Sequence, residues 1–142
     1  MATLTFTISA PMQSYGLLTF TAYRRTAMKP TKRTIRGLIA AAYGYQRNDP
    51  RIQELGTKFD MTYKTIKPGS LMCDYQNAHY QKGKLLKNRQ IWRYYLQDAS
   101  FEITLHGDSQ FLKEVKYKLQ HPYFALYVGR RSCPLDRPLS FK

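Results

Sequence analysis

Two short segments constrain this chain more than any other feature. Leu4, Phe6 and Ile8 alternate with Thr3, Thr5, Thr7 and Ser9, and Phe101, Ile103 and Leu105 alternate with Ser100, Glu102, Thr104 and His106. A period of two places the apolar side chains on one face of a strand, so each segment belongs in a sheet buried on one side. A helical pattern follows each. Behind a loop punctuated by Pro11 and Gly16, the residues Ile35, Leu38, Ile39, Ala42 and Tyr43 recur at i, i+3, i+4, i+7 and i+8, and Phe111, Leu112, Val115 and Leu119 share one face of a second helix. Thr31 or Thr34 can cap the first helix and Gly44 can take the left-handed position at its end. Asp108 can cap the second, which Pro122 stops. One-sided strands and one-sided helices bury their apolar faces against each other, so the expected layering is two helices on one face of one sheet.

The remaining segments complete the pattern. Lys58 to Ile66, with Phe59, Met61 and Tyr63 on one side, reads as a second strand closed by Pro68-Gly69, and Phe124, Leu126 and Val128 read as a fourth. From Asp74 to Arg93 the alternation fails: polar and basic residues dominate around Gly83, which predicts a projecting hairpin or loop at about 74–95. The order β, α, β, excursion, β, α, β predicts an α+β chain with the ferredoxin-like βαββαβ pattern. A length of 142 residues fits one domain, expected to run from 1 to 142. This architecture hosts RNA-recognition domains, acylphosphatases and small-molecule binders alike, so function has to be argued from the residues.

Charge narrows the partner. Lys and Arg number 23 against 9 Asp and Glu, a formal net charge of +14 that attracts polyanions and makes nucleic acid the leading partner class. The longest apolar stretches, such as Leu38 to Tyr43, fall far below the ~20 residues needed to span a bilayer. Met1-Ala2-Thr3-Leu4-Thr5-Phe6 has neither a basic nor an apolar leader region, so the expected compartment is cytoplasmic. Cys73 and Cys133, far apart and in no C-x-x-C pattern, read as reduced thiols.

Three clusters have the chemistry of a phosphate binder. Between Tyr23 and Gly37 lie Arg24, Arg25, Lys29, Lys32, Arg33 and Arg36 with no acidic residue, and the run enters the first helix. Cations oppose the positive end of a helix dipole, so this placement calls for an anionic partner. The excursion carries Lys82, Lys84, Lys87, Arg89 and Arg93 interleaved with Tyr75, His79, Tyr80 and Trp92, the mixture on which single-stranded nucleic acid stacks. Trp92, next to a strand, also suits core packing. The segment Tyr127-Val128-Gly129-Arg130-Arg131 ends in a glycine turn with paired arginines able to fork onto phosphates, although a plain β-turn fits the local sequence equally well. The aromatic signature of RNA-recognition domains is missing from the strand that would hold it.

Catalysis and cofactors find little support. His79, His106 and His121 lack metal-ligand spacing, no Walker loop, G-x-S-x-G or G-x-G-x-x-G occurs, and no metal or cofactor is expected. Metal-free cleavage of RNA would need only a base and a cation, for which His79 with Lys82 or a nearby Tyr is the candidate.

Ala10-Pro11-Met12-Gln13-Ser14-Tyr15-Gly16, Pro30-Thr31 leading to Arg36-Gly37-Leu38-Ile39, Gly44-Tyr45-Gln46-Arg47-Asn48-Asp49, Asp74-Tyr75, Tyr94-Tyr95-Leu96-Gln97-Asp98-Ala99-Ser100-Phe101 and Tyr127-Val128-Gly129-Arg130-Arg131-Ser132-Cys133-Pro134-Leu135 resemble, in order, the CasD (Cas-five) family of type I-E CRISPR Cascade subunits. Ala10 stands where that family often has Gly, and relatives usually continue past the Pro134-Leu135 segment into further β structure. The resemblance implies a RAMP-type fold with a thumb hairpin at the excursion, and no catalysis. It also implies an antiviral role, holding the 5′ handle of CRISPR RNA beside the backbone-forming and large subunits, with target DNA reached through the complex. Carried over by position, Gln13, Tyr15, the basic run and Arg130-Arg131 are the residues expected at the handle. The alternatives are a metal-independent endoribonuclease acting on repeat RNA, as in a type I-C relative, and a truncated decoy or regulator of Cascade.

Overall fold

The structure is a computed structural model that describes residues 1–17 and 22–142. In chain order it contains β1 (Ala2–Ser9), the short strands β2 (Met12–Gln13), β3 (Tyr15–Gly16), β4 (Tyr23–Arg24) and β5 (Thr26–Ala27), then α1 (Lys32–Tyr43) and α2 (Arg51–Thr57). There follow β6 (Phe59–Lys67), β7 (Ser70–Lys82), β8 (Leu85–Gln97), β9 (Ser100–Gly107), α3 (Ser109–Gln120) and β10 (Ser140–Phe141).

The main sheet is antiparallel, in the order β10, β1, β9, β6. Its two central strands are the two alternating segments, in full register from Ala2 opposite Gly107 to Ser9 opposite Ser100. Leu4, Phe6, Ile8, Phe101, Ile103 and Leu105 are all buried. They meet Ile35, Leu38, Ile39 and Ala42 of α1 and Leu112, Val115 and Leu119 of α3 in one apolar core. The caps also stand where the sequence puts them. The Thr31 side chain accepts from the Thr34 N–H, Gly44 adopts φ +83°, and Asp108 accepts from the Phe111 N–H.

Three features depart from the sequence reading. The stretch from Phe124 to Val128 is not a strand: Tyr123 and Phe124 donate their N–H groups to Ala42 and Ala41 at the end of α1, and Tyr127 makes a single bridge to Pro134. Its alternation arises because Val128 is buried behind a turn while Phe124 faces outward. The sheet edge beside β1 is taken instead by β10, with Phe141 opposite Phe6. The helix α2 was not expected. It begins at Asp49-Pro50, where Asp49 accepts from the Arg51 N–H, and buries only Leu55, too few apolar residues to leave a periodic signal.

The excursion is a hairpin longer than the pattern suggested. Strands β7 and β8 pair without a break from Ser70 opposite Gln97 to Lys82 opposite Leu85, around a turn that uses Gly83 at φ +63°. Thirteen residues per strand extend about 40 Å. Among the described residues the anchoring contacts fall at its base, with Tyr95 and Leu96 buried, β2 paired antiparallel to β8, and β4 paired parallel to it through Tyr23–Trp92 and Arg24–Arg93.

Candidate nucleic-acid interface

The site begins with a buried polar strut behind it. Gln13 and Tyr15 have no exposed surface. Gln13 Nε2 donates to the carbonyls of Ala10 and Ala99, the Tyr15 hydroxyl donates to Gln13 Oε1 at 2.7 Å, and the Tyr15 N–H donates to Thr26 Oγ1 at 2.8 Å. The Tyr15 ring meets Phe101 edge-on at 5.9 Å. Burial, with Cys133 adding to it, pushes the Tyr15 pKa well above the ordinary value, so the hydroxyl stays a donor at any physiological pH. These two side chains, expected at the ligand, are therefore internal, because a carboxamide and a phenol that satisfy each other can be buried at low cost. Replacing Tyr15 by Phe strands Gln13 Oε1 without its donor. Urea denaturation of that variant is expected to show a loss of about 1–3 kcal/mol.

The strut carries Ser14 between its two anchors, and Ser14 meets the glycine turn. Its N–H donates to the Val128 carbonyl at 3.1 Å. The turn is closed by Val128 N–H to Cys133 carbonyl at 2.8 Å and Cys133 N–H to Arg130 carbonyl at 2.9 Å. Gly129 adopts φ +88°, and a Cβ there would lie 1.7 Å from the Ser14 carbonyl oxygen. Only glycine lets the two backbones come this close. Cys133 is buried and its thiol pKa is raised by that burial, so it packs as a small apolar group.

Between the strut, the turn and the start of α1 opens a cleft of about 380 Å³. Arg24 and Arg25 reach it from β4 and the residue after it, Arg33 and Thr34 from the first turn of α1, Gly37 from the second, and Gly129 and Arg130 from the turn. Among the described residues, four arginines line it and no carboxylate does. Clusters distant in sequence thus share one concave surface, whose positive potential is focused by its walls.

Other expected residues lie elsewhere. Lys32 reaches back to Asp60 at 3.3 Å, and Arg36 donates to Gln53 at 2.9 Å. Lys29 and Arg131 are exposed and do not line the cleft. Lys82, Lys84, Lys87 and Arg89 are exposed on the outer hairpin, where Leu85 and Leu86 flank the tip. Arg93 is half-buried beside Arg24. Trp92 is half-buried with Tyr23 stacked on its ring at 4.8 Å and 16° and Tyr75 tilted against it at 5.4 Å, so it backs two exposed tyrosines. His79 bonds Asn88 across the hairpin and does not line the cleft.

Sequence reasoning missed Tyr95. This buried ring on β8 lies under the Arg130 guanidinium, 4.9 Å from centroid to guanidinium carbon. Its signal was the Tyr94-Tyr95-Leu96 motif, whose partner could not be read without the turn's position. Arg130 Nη1 is buried and has no hydrogen-bond partner among the described residues.

Comparison with known proteins gives one consistent answer. Residues 3–142 match the family described as CRISPR-associated protein (Cas_Cas5). The chain is 30% identical, over 152 aligned positions, to the CRISPR system Cascade subunit CasD of Escherichia coli (strain K12), covering 93% of this chain and 66% of that protein. A chain of a solved CRISPR RNA-guided surveillance complex superposes with a TM-score of 0.82 at 24% identity, covering 95% of this chain and 60% of that one. A Cas protein solved by crystallography gives 0.72 at 29%, covering 97% and 62%. This chain therefore spans a little under two thirds of the length of these relatives.

Proposed function

The chain belongs to the CRISPR-associated Cas5 family, and from that premise we propose that it is a non-catalytic subunit of a Cascade-type interference complex that holds the 5′ handle of the CRISPR RNA. The observation that best supports this reading is the convergence of Arg24, Arg25, Arg33 and Arg130 on one cleft beside the turn that Gly129 seats against Ser14. Guanidinium groups keep their charge at any physiological pH and fork onto phosphate oxygens, so they hold an RNA backbone but do not shuttle protons. The sheet order β10, β1, β9, β6, with a helix crossing between β1 and β6 and another between β9 and β10, supports a ferredoxin-like RAMP arrangement in a single domain. The hairpin then serves as the thumb. Its exposed cations and its tip meet RNA and a neighbouring subunit, either backbone-forming or large, and target DNA is reached through the assembly. A cytoplasmic site is consistent with this role, and among the described residues no helix is long and apolar enough to cross a membrane.

Affinity purification of the chain from its native host, with mass spectrometry of co-purifying proteins and sequencing of bound RNA, tests the reading. CRISPR RNAs sharing one intact 5′ end, together with Cascade-like subunits, are expected. Heterogeneous RNA without such partners would overturn it. The holding role predicts in addition that purified chain leaves repeat RNA uncut in EDTA, and cleavage that disappears on His79→Ala would replace it with the nuclease reading.

A further inference from the structure

Within that reading, we propose that Tyr95 is a positioning residue: its buried ring holds the Arg130 guanidinium in place over its face, so that a preformed fork meets a phosphate in the cleft. Four observations converge on it. Arg130 lines the cleft, its guanidinium carbon lies 4.9 Å from the Tyr95 ring centroid, Tyr95 is 2% exposed, and Arg130 Nη1 is buried without a hydrogen-bond partner among the described residues. Among the described residues no carboxylate forms an ion pair with Arg130, so the guanidinium is held by an aromatic face, and its donors other than the buried Nη1 remain for an incoming oxygen. A guanidinium stacked on a ring keeps its in-plane N–H groups available, whereas one paired with Asp or Glu would spend them. The arrangement also removes rotamer freedom before binding, and an ordered side chain loses less entropy when the ligand arrives.

Tyr95 stands at the base of the hairpin on β8, while Arg130 stands on the turn that Gly129 seats against Ser14. The ring therefore ties the phosphate fork to the thumb's root. A lysine at 130 would keep the charge but lose the planar guanidinium that lies over the ring, and with it the fork.

The test is a double-mutant cycle with the full chain, reading fluorescence anisotropy of a labelled single-stranded RNA that carries the host's CRISPR repeat sequence. Tyr95→Leu is expected to weaken binding about five- to tenfold, as loss of a desolvated cation–π contact implies. Tyr95→Phe is expected to bind as wild type, which a requirement for the hydroxyl would not allow. Arg130→Ala is expected to weaken binding at least as much as Tyr95→Leu, and the double variant no more than Arg130→Ala alone. Should Tyr95→Leu fail to fold, Arg130→Lys decides, since the proposal expects it to lose nearly as much as Arg130→Ala. Wild-type affinity in Tyr95→Leu or in Arg130→Lys, or additive losses in the double variant, would overturn the proposal and leave the cleft reading standing. Wild-type affinity in Arg130→Ala would overturn both.

Discussion

Gly129→Ala is expected to cost the protein about 3 kcal/mol or more and to lower the melting temperature by about 10 °C, with loss of RNA retention. Two independent penalties act at this position. The backbone sits at φ +88°, where a side chain is strained, and the added Cβ would lie 1.7 Å from the Ser14 carbonyl oxygen. Neither can relax cheaply. Ser14 is fixed between Gln13 and Tyr15, whose side chains bond each other and the Ala10 and Ala99 carbonyls, and the turn is closed by its own backbone bonds. The loop must therefore move away, taking Arg130 out of the cleft. Gly37→Ala is the control: it also lines the cleft, but a Cβ there meets nothing within 4 Å. Because alanine is favoured over glycine inside a helix by about 1 kcal/mol, that variant is expected to melt a few degrees higher. Differential scanning calorimetry of the two variants reads the contrast, and an undiminished melting temperature in Gly129→Ala would show that the close approach to Ser14 does not hold.

Reversing the cleft's charge is the second large effect. The triple variant Arg25→Glu, Arg33→Glu, Arg130→Glu is expected to bind repeat RNA about 1,000-fold more weakly near physiological salt. Its salt dependence should flatten by about two units of slope, as loss of three contacts to a single strand implies. Folding should survive, since Arg25 and Arg33 are exposed and a chain of net charge +14 loses self-repulsion. Arg131→Glu, one residue from the fork but outside the cleft, is expected to change affinity only a few-fold. Reversal of Lys82, Lys84 and Lys87 should cost about tenfold, because an exposed two-stranded ribbon meets phosphates in high dielectric without focusing walls. Anisotropy titrations across a salt series separate these cases. If the triple variant bound as tightly as wild type while the hairpin variant did not, the interface would lie on the hairpin.

The legible parts of this protein are those where burial imposes a period. Strands β1 and β9 and helices α1 and α3 each bury one face, and the sequence carries that face as a repeat of two or of 3.6. Their caps, Thr31, Gly44 and Asp108, were legible for a related reason, because a helix end has unsatisfied groups that particular side chains satisfy locally. The hairpin was recognised by what it lacked: its outer part is exposed on both faces and needs no alternation, and the half-buried face of its inner part carries polar residues such as Asp74 and Gln76, so its true extent, Ser70 to Gln97, could not be read. The same rule misled at Phe124 to Val128, where alternation reflects one buried valine behind a turn rather than a strand.

By itself, then, the sequence determined the layers, the basic character and the three cationic clusters, because each is a local property of neighbouring residues. Only the tertiary structure decided which cations meet. Arg24, Arg25, Arg33 and Arg130 share a cleft because the Gly129 turn seats against Ser14, whereas Lys32 and Arg36 point to Asp60 and Gln53 and take no part. It also moved Gln13 and Tyr15 from the surface to a buried strut, and set Tyr95 beneath Arg130. The physical reason is common to all three. A side chain's partner is fixed by packing between segments far apart in the chain, and no periodicity within either segment records the distance between them.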